Sequence, residues 1–199
     1  MDGERIALAM KKEEIDTEIK SLLKIKFPET LLPLFENVDF PDSLGFECKR
    51  CGQCCRDFPA DVNSKERKHI EERGFKDFLQ LPDPNPFPFI IRKEEGCCLF
   101  LTNENTCEIH DVKPNSCILQ PFTIVDYDYH NNLIFVDLAL GPECPGVATI
   151  GKLPYTKMAK AAQEQIKDLI EVWSKKMKLP ISDSRVYAKV RFQILRSLM

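Results

Sequence analysis

The sequence predicts an α+β fold, and three features in separate stretches of the chain point to it. Two β-prone runs, Phe122 to Asp128 and Leu133 to Leu140, are rich in Val, Ile, Phe and Tyr and joined by His130, Asn131 and Asn132, the pattern of a hairpin. From Thr156 to Lys178, Ala162, Ile166, Leu169, Ile170, Trp173 and Met177 mark one apolar stripe at helical spacing. Between the chain start and the hairpin, cysteines crowd into a stretch of Gly, Pro and charged residues that favours loops. The expected architecture is a small antiparallel hairpin and an irregular cysteine-rich metal-binding centre, flanked by terminal helices.

The elements follow in order. Ile15, Ile19, Leu22 and Leu23 fall at i, i+4, i+7 and i+8, which predicts an amphipathic helix ending before Pro28. Cys48 to Cys55 reads as loop. A short, exposed helix is expected from Lys65 to Arg73, with Asn63 or Ser64 to cap it and Gly74 to end it. Pro82, Pro84, Pro86 and Pro88 exclude a helix and predict a stiff extended crossing. Phe89 to Arg92 and Leu99 to Thr102 are short β-prone pieces that precede the hairpin. Pro180 closes the long helix. The tail from Arg185 suits a strand by alternation and a helix by the spacing of Tyr187, Val190, Ile194 and Leu198; the helix is preferred. Three segments result: a helical extension over 1–45, a cysteine domain over 46–151, and a helical segment over 152–199.

Composition narrows the function classes. Apolar residues at 43% and charged residues at 30% describe a soluble globular chain. A net charge of −3 argues against nucleic-acid binding, which needs clustered Lys and Arg. Lys175, Lys176 and Lys178 read as a solvated helix face. No apolar run approaches the roughly 18 residues of a membrane span, and Leu133 to Leu140 is broken by Asp137. Met1 to Met10 lacks a secretory pattern, so the expected location is the cytoplasm. There, 9 cysteines are expected to be metal ligands or redox groups rather than disulfides, and the odd count agrees.

The run Cys48-x2-Cys51-x2-Cys54-Cys55 is the strongest chemical signal. Two-residue spacers let a turning backbone aim successive thiols at one point, and Gly52 supplies the dihedral freedom. Zinc sites use one such pair at a time. Three cysteines at this spacing match the grip on a cubane iron–sulfur cluster, whose fourth thiolate is remote and followed by proline, as Cys144 is by Pro145. Neighbouring side chains diverge, so Cys54 and Cys55 are not expected to serve the same atom. One of them meets a second metal, another iron of a larger cluster, or the core. Cys97, Cys98, Cys107, Cys117 and Cys144 are available to complete one site and supply another.

These residues resemble the YkgJ-type cysteine-cluster family of zinc- or iron-chelating domains, named for a CxxCxxCC motif. The likeness runs from Cys48, Cys51, Cys54 and Cys55 through Cys98-Leu99-Phe100-Leu101, Cys107-Glu108-Ile109-His110 and Pro114-Asn115-Ser116-Cys117 to Cys144-Pro145-Gly146. It covers roughly Phe46 to Gly151. The resemblance implies eight ligand-type cysteines, Cys48, Cys51, Cys54, Cys55, Cys98, Cys107, Cys117 and Cys144, and leaves Cys97 over. The chain departs from the family pattern at His110, where an aromatic is common, and at Lys113 and Ile118, where Arg is common. The last two put in doubt any anion-holding or cluster-tuning role of a basic pair, since Lys lacks the guanidinium fork.

His110 is read as a donor beside the thiolates rather than a ligand, and His69 and His130 have no cysteine close in sequence. Asp126, Asp128 and Asp137 read as outward positions of the hairpin. No phosphate-cradling, dinucleotide or HExxH motif occurs. The leading expectation is an iron–sulfur protein, with a 4Fe-4S cluster, that passes electrons to a protein redox partner or supports a client enzyme. The second is a structural zinc module in which metal binding supplies folding energy. The third is a cluster-associated methyltransferase, because the resemblance extends to flagellin lysine methylases. Iron content and colour separate the first two, and S-adenosylmethionine binding would mark the third.

Overall fold

A computed structural model describes residues 37–41, 45–80, 86–128, 133–139, 144–148 and 152–197. It bears out the α+β class, with helices, small sheets and, among the described residues, no closed sheet. The amphipathic helix expected around Ile15 to Leu23, the hairpin turn at His130 to Asn132, and Pro82 and Pro84 lie outside the described residues.

The described residues form seven strands: β1 (Asn37–Asp39), β2 (Gly45–Phe46), β3 (Leu79–Gln80), β4 (Phe89–Ile90), β5 (Phe122–Asp128), β6 (Leu133–Leu138) and β7 (Val147–Ala148). The helices are α1 (Gln53–Asp57), α2 (Ser64–Glu72), α3 (Asn115–Leu119), α4 (Tyr155–Met177) and α5 (Ser184–Ser197). β5 and β6 are the two runs expected to pair, and they lie side by side in a sheet of order β1-β6-β5. The sequence reading missed β1, which runs parallel to β6 with Val38 opposite Ile134. It also missed β2 and β7, two residues each, which pair antiparallel. Strands this short carry no periodicity to read.

Two further expectations are corrected. Cys48 to Cys55 is not all loop, because positive φ at Arg50 and Gly52 turns the chain into α1, which holds Cys54 and Cys55. Leu99 to Thr102 forms turns and a single bridge, Leu101 to Cys107, rather than a strand. The tail is helical, as preferred. In α2, Asn63 accepts from the N–H groups of Lys65 and Glu66 while Glu66 reaches back to the Asn63 N–H, a reciprocal cap. Only Ile70 of α2 is buried, as its polar sequence implied.

The chain divides into two compact units. One holds β1, Ile124–Phe135 and the chain from Ile166 onward; the other comprises Phe40–Thr123 and Val136–Gln165. In the first, Ile166, Ile170, Val186, Tyr187 and Val190 are buried. Tyr127 donates its hydroxyl to the Tyr187 carbonyl at 2.7 Å, Arg191 grips Asp126 at 2.8 and 2.6 Å, and the Trp173 indole donates to Gln193 at 2.6 Å. Of the apolar stripe expected on α4, Ala162, Ile166 and Ile170 are buried, while Leu169, Trp173 and Met177 are half-buried. Lys175, Lys176 and Lys178 are exposed, as expected.

The second unit has a core of Ala60, Val62, Ile70, Phe78, Ile90, Phe100 and Ile109. Phe75 and Phe78 meet the Phe100 ring at centroid distances of 5.0 and 5.6 Å. Cys98, Cys107 and Cys117 pack against this cluster. The apolar core of this unit thus forms one wall of the region where its thiols gather.

Candidate metal centre

Short-range backbone geometry aims the thiols. Gly52 has a left-handed φ of 74°, which favours glycine there; a Cβ would also meet the end of the Arg56 side chain at 2.6 Å, a flexible group that can give way. The Arg56 N–H then bonds the Gly52 carbonyl at 3.2 Å and opens α1. Cys98 is drawn to α1 by its own N–H, which donates to the Cys55 carbonyl at 2.7 Å. The bridge between Leu101 and Cys107, with the Glu108 N–H on the Phe100 carbonyl at 3.0 Å, folds the next cysteine loop onto the last. Cys117 arrives on α3. The Asn115 N–H at the start of that helix donates to Glu66 at 2.8 Å, so the α2 cap also seats α3. The Glu47 N–H bonds the Gly146 carbonyl at 2.9 Å beside the β2–β7 pair, which brings Cys48 and Cys144 together. Gly146 is needed for that approach, because a Cβ would run into the Glu47 carbonyl.

The outcome is one cavity of about 190 Å³, whose wall includes Cys48, Cys51, Cys54, Cys55, Cys98, Cys107, Cys117 and Cys144. Every sequence-expected ligand is there. Cys97 does not line it; its thiol faces the Glu95 carboxylate at 3.9 Å. All nine cysteines are free thiols. Among the described residues no three His, Cys, Asp or Glu side chains close on a single ion-sized point. The sulfurs surround a volume.

Burial sets the acidity of these groups. It pushes the Cys54 thiol up to about 11, with neighbouring Cys144, Cys51 and Cys48 adding to the rise. It pushes Cys55 up to about 12, reinforced by Cys98, Cys107 and Cys54 and opposed by Lys113. Burial also raises Cys117 well above the usual thiol value, with Cys98, Cys55 and Cys107 adding to the rise and Lys113 opposing it. Without a metal these thiols stay protonated at neutral pH, and a bound cation must displace their protons.

Three backbone donors counter that cost at a fixed offset. The N–H groups of Phe100 and Ile109 bond the sulfurs of Cys98 and Cys107, and the Gly146 N–H lies 3.4 Å from the Cys144 sulfur. Each donor sits two residues after its cysteine, a turn that supplies a hydrogen bond to a thiolate. The resemblance had picked out Cys98 and Cys107, and Cys144 had also been marked by the proline that follows it. Also at the cavity wall is Gln120, whose Oε1 is buried without a partner among the described residues, a group no motif had indicated. His110 is an exposed lining residue whose pKa is lowered by partial desolvation and by the nearby Lys113, Arg50 and Lys157 charges.

The donor set fits a thiophilic metal: sulfur ligands in abundance, a dry wall behind them, cations beside them and backbone N–H groups aimed at three sulfurs. Among the described residues no helix is long and apolar enough to cross a membrane. Comparison with known proteins agrees on the chemistry. Residues 47–139 match the model of the CxxCxxCC family, described as a putative zinc- or iron-chelating domain. That span takes in seven of the eight lining cysteines, and Cys144 lies beyond its end. Neither a curated protein nor a solved structure was found to match the chain.

Proposed function

We propose, from a chain whose residues 47–139 match a metal-chelating cysteine-cluster domain, that the protein is an iron–sulfur protein whose lining thiolates hold a 4Fe-4S-type centre. The observation that carries this reading is the cavity of about 190 Å³ among eight thiols. A lone zinc ion, with Zn–S near ~2.3 Å, gathers four sulfurs around a point. A cluster occupies a volume and takes each thiolate at a different iron, which suits sulfurs standing around a space. The centre would supply one-electron chemistry when bound. The chain's own residues exclude water from the Cys117 side and donate hydrogen bonds to sulfur from Phe100, Ile109 and Gly146. Lys113 places a positive charge beside Cys55, Cys107 and Cys117. Such an arrangement serves electron exchange with a protein partner, or support of a client enzyme, in a reducing compartment such as the cytoplasm.

Anaerobic purification followed by iron, sulfide and zinc analysis and an absorption spectrum tests this. Brown protein with labile sulfide is expected. Colourless protein with stoichiometric zinc would replace the reading by a structural zinc module, which the family description equally accommodates.

A further inference from the structure

We infer that the eight cavity thiols form two separate four-sulfur sites, each taking its own thiophilic metal centre: Cys48, Cys51, Cys54 and Cys144 in one, Cys55, Cys98, Cys107 and Cys117 in the other. The inference rests on the metal-binding reading above and deepens it.

The dividing line is α1. Cys54 and Cys55 are consecutive on that helix, so their side chains leave the axis about 100° apart and face different partners. Backbone contacts then sort the rest. The β2–β7 pair and the bond from the Glu47 N–H to the Gly146 carbonyl, 2.9 Å, bring Cys144 to the Cys48 end of the motif. The bond from the Cys98 N–H to the Cys55 carbonyl, 2.7 Å, and the Leu101–Cys107 bridge bring Cys98 and Cys107 to the Cys55 side. Cys98, Cys107 and Cys117 also share one apolar cluster, to which Cys48, Cys51, Cys54, Cys55 and Cys144 do not belong, so Cys55 joins this group through the bond from the Cys98 N–H.

One site therefore includes the exposed Cys48 and opens towards solvent, while the other leans on the core. The open site exchanges its metal first.

Metal analysis and native mass spectrometry of the whole chain test the division without reference to any activity. The double variants Cys48→Ser with Cys144→Ser, and Cys98→Ser with Cys107→Ser, are each expected to keep half of the wild-type metal. Loss of all metal from either folded variant means one shared centre and overturns the division. Because the core-side variant can fail to fold, the unaltered protein is also titrated with a chelator. A half-loaded species should build up between full and empty protein, and passage straight from full to empty overturns the division by itself. Wild-type protein that binds no iron, sulfide or zinc overturns the metal reading, and the division with it.

Discussion

The two compact units reach stability by different routes. The unit built on Ile166 onward has helices of conventional length and buries Ile166, Ile170, Val186, Tyr187 and Val190. Its polar groups are matched at close range, as in the grip of Arg191 on Asp126. Besides α2 and the first half of α4, the cysteine-bearing unit has two helices of five residues and strands of two, too short to carry their own cooperativity. Its apolar cluster is small and uses three thiols as packing groups. One region is held by side-chain packing, the other by packing plus whatever its sulfurs bind. A chain can thus dispense with regular structure where an inorganic centre ties the loops.

Several measurements would break or sharpen that contrast. The largest effect is expected on metal removal. Amide exchange in 48–55, 98–117 and 144–147 should accelerate by orders of magnitude, while the α4 residues from Ile166 onward and α5 keep their protection. Equal loss of protection in both units would abolish the distinction. Next is Ile166→Ala, a fully buried side chain, which should cost about 2–5 kcal/mol in denaturant unfolding and leave metal content unchanged. A parallel loss of metal would show that the two routes are one.

Alkaline pH supplies a third test, on metal-free protein. The folded-state thiols of Cys54 and Cys55 are raised from 9.0 to about 11 and about 12, so the unfolded chain loses its protons first. Their contribution is intact below the unfolded value and disappears as pH rises through the folded values. The stability of apo protein should therefore fall above about pH 9, whereas the metal-loaded protein, whose thiolates are already deprotonated, should resist. An apo protein that gains stability over that range would contradict the burial of these thiols. The smallest effect belongs to the cap: Asn63→Ala should cost about 1 kcal/mol and spare metal content, since Glu66 still receives the Asn115 N–H.

Legibility in the sequence follows the range of the forces involved. α4 and α5 were readable because an apolar stripe repeats every three to four residues, and α2 because Asn63 and Glu66 form a local cap. The β5–β6 pair announced itself by composition. The eight cysteines that line the cavity are those the sequence reading offered as ligands, Cys48, Cys51, Cys54 and Cys55 from their spacing, Cys144 from the proline that follows it, and Cys98, Cys107 and Cys117 from a resemblance, while Cys97 lies off the wall. What escaped were contacts between distant positions: β1 beside β6, β2 with β7, the Cys98 N–H on the Cys55 carbonyl, and Gln120 at the cavity wall.

From the amino acids alone came the kind of chemistry, because thiol spacing and a spare proline-flanked cysteine are local properties that any thiophilic metal would recognise. Which thiol faces which was decided only by tertiary structure. A two-residue spacer limits how far apart sulfurs lie, yet the partner of Cys144 depends on a backbone bond from Glu47 to Gly146, about a hundred positions away, that no local pattern encodes.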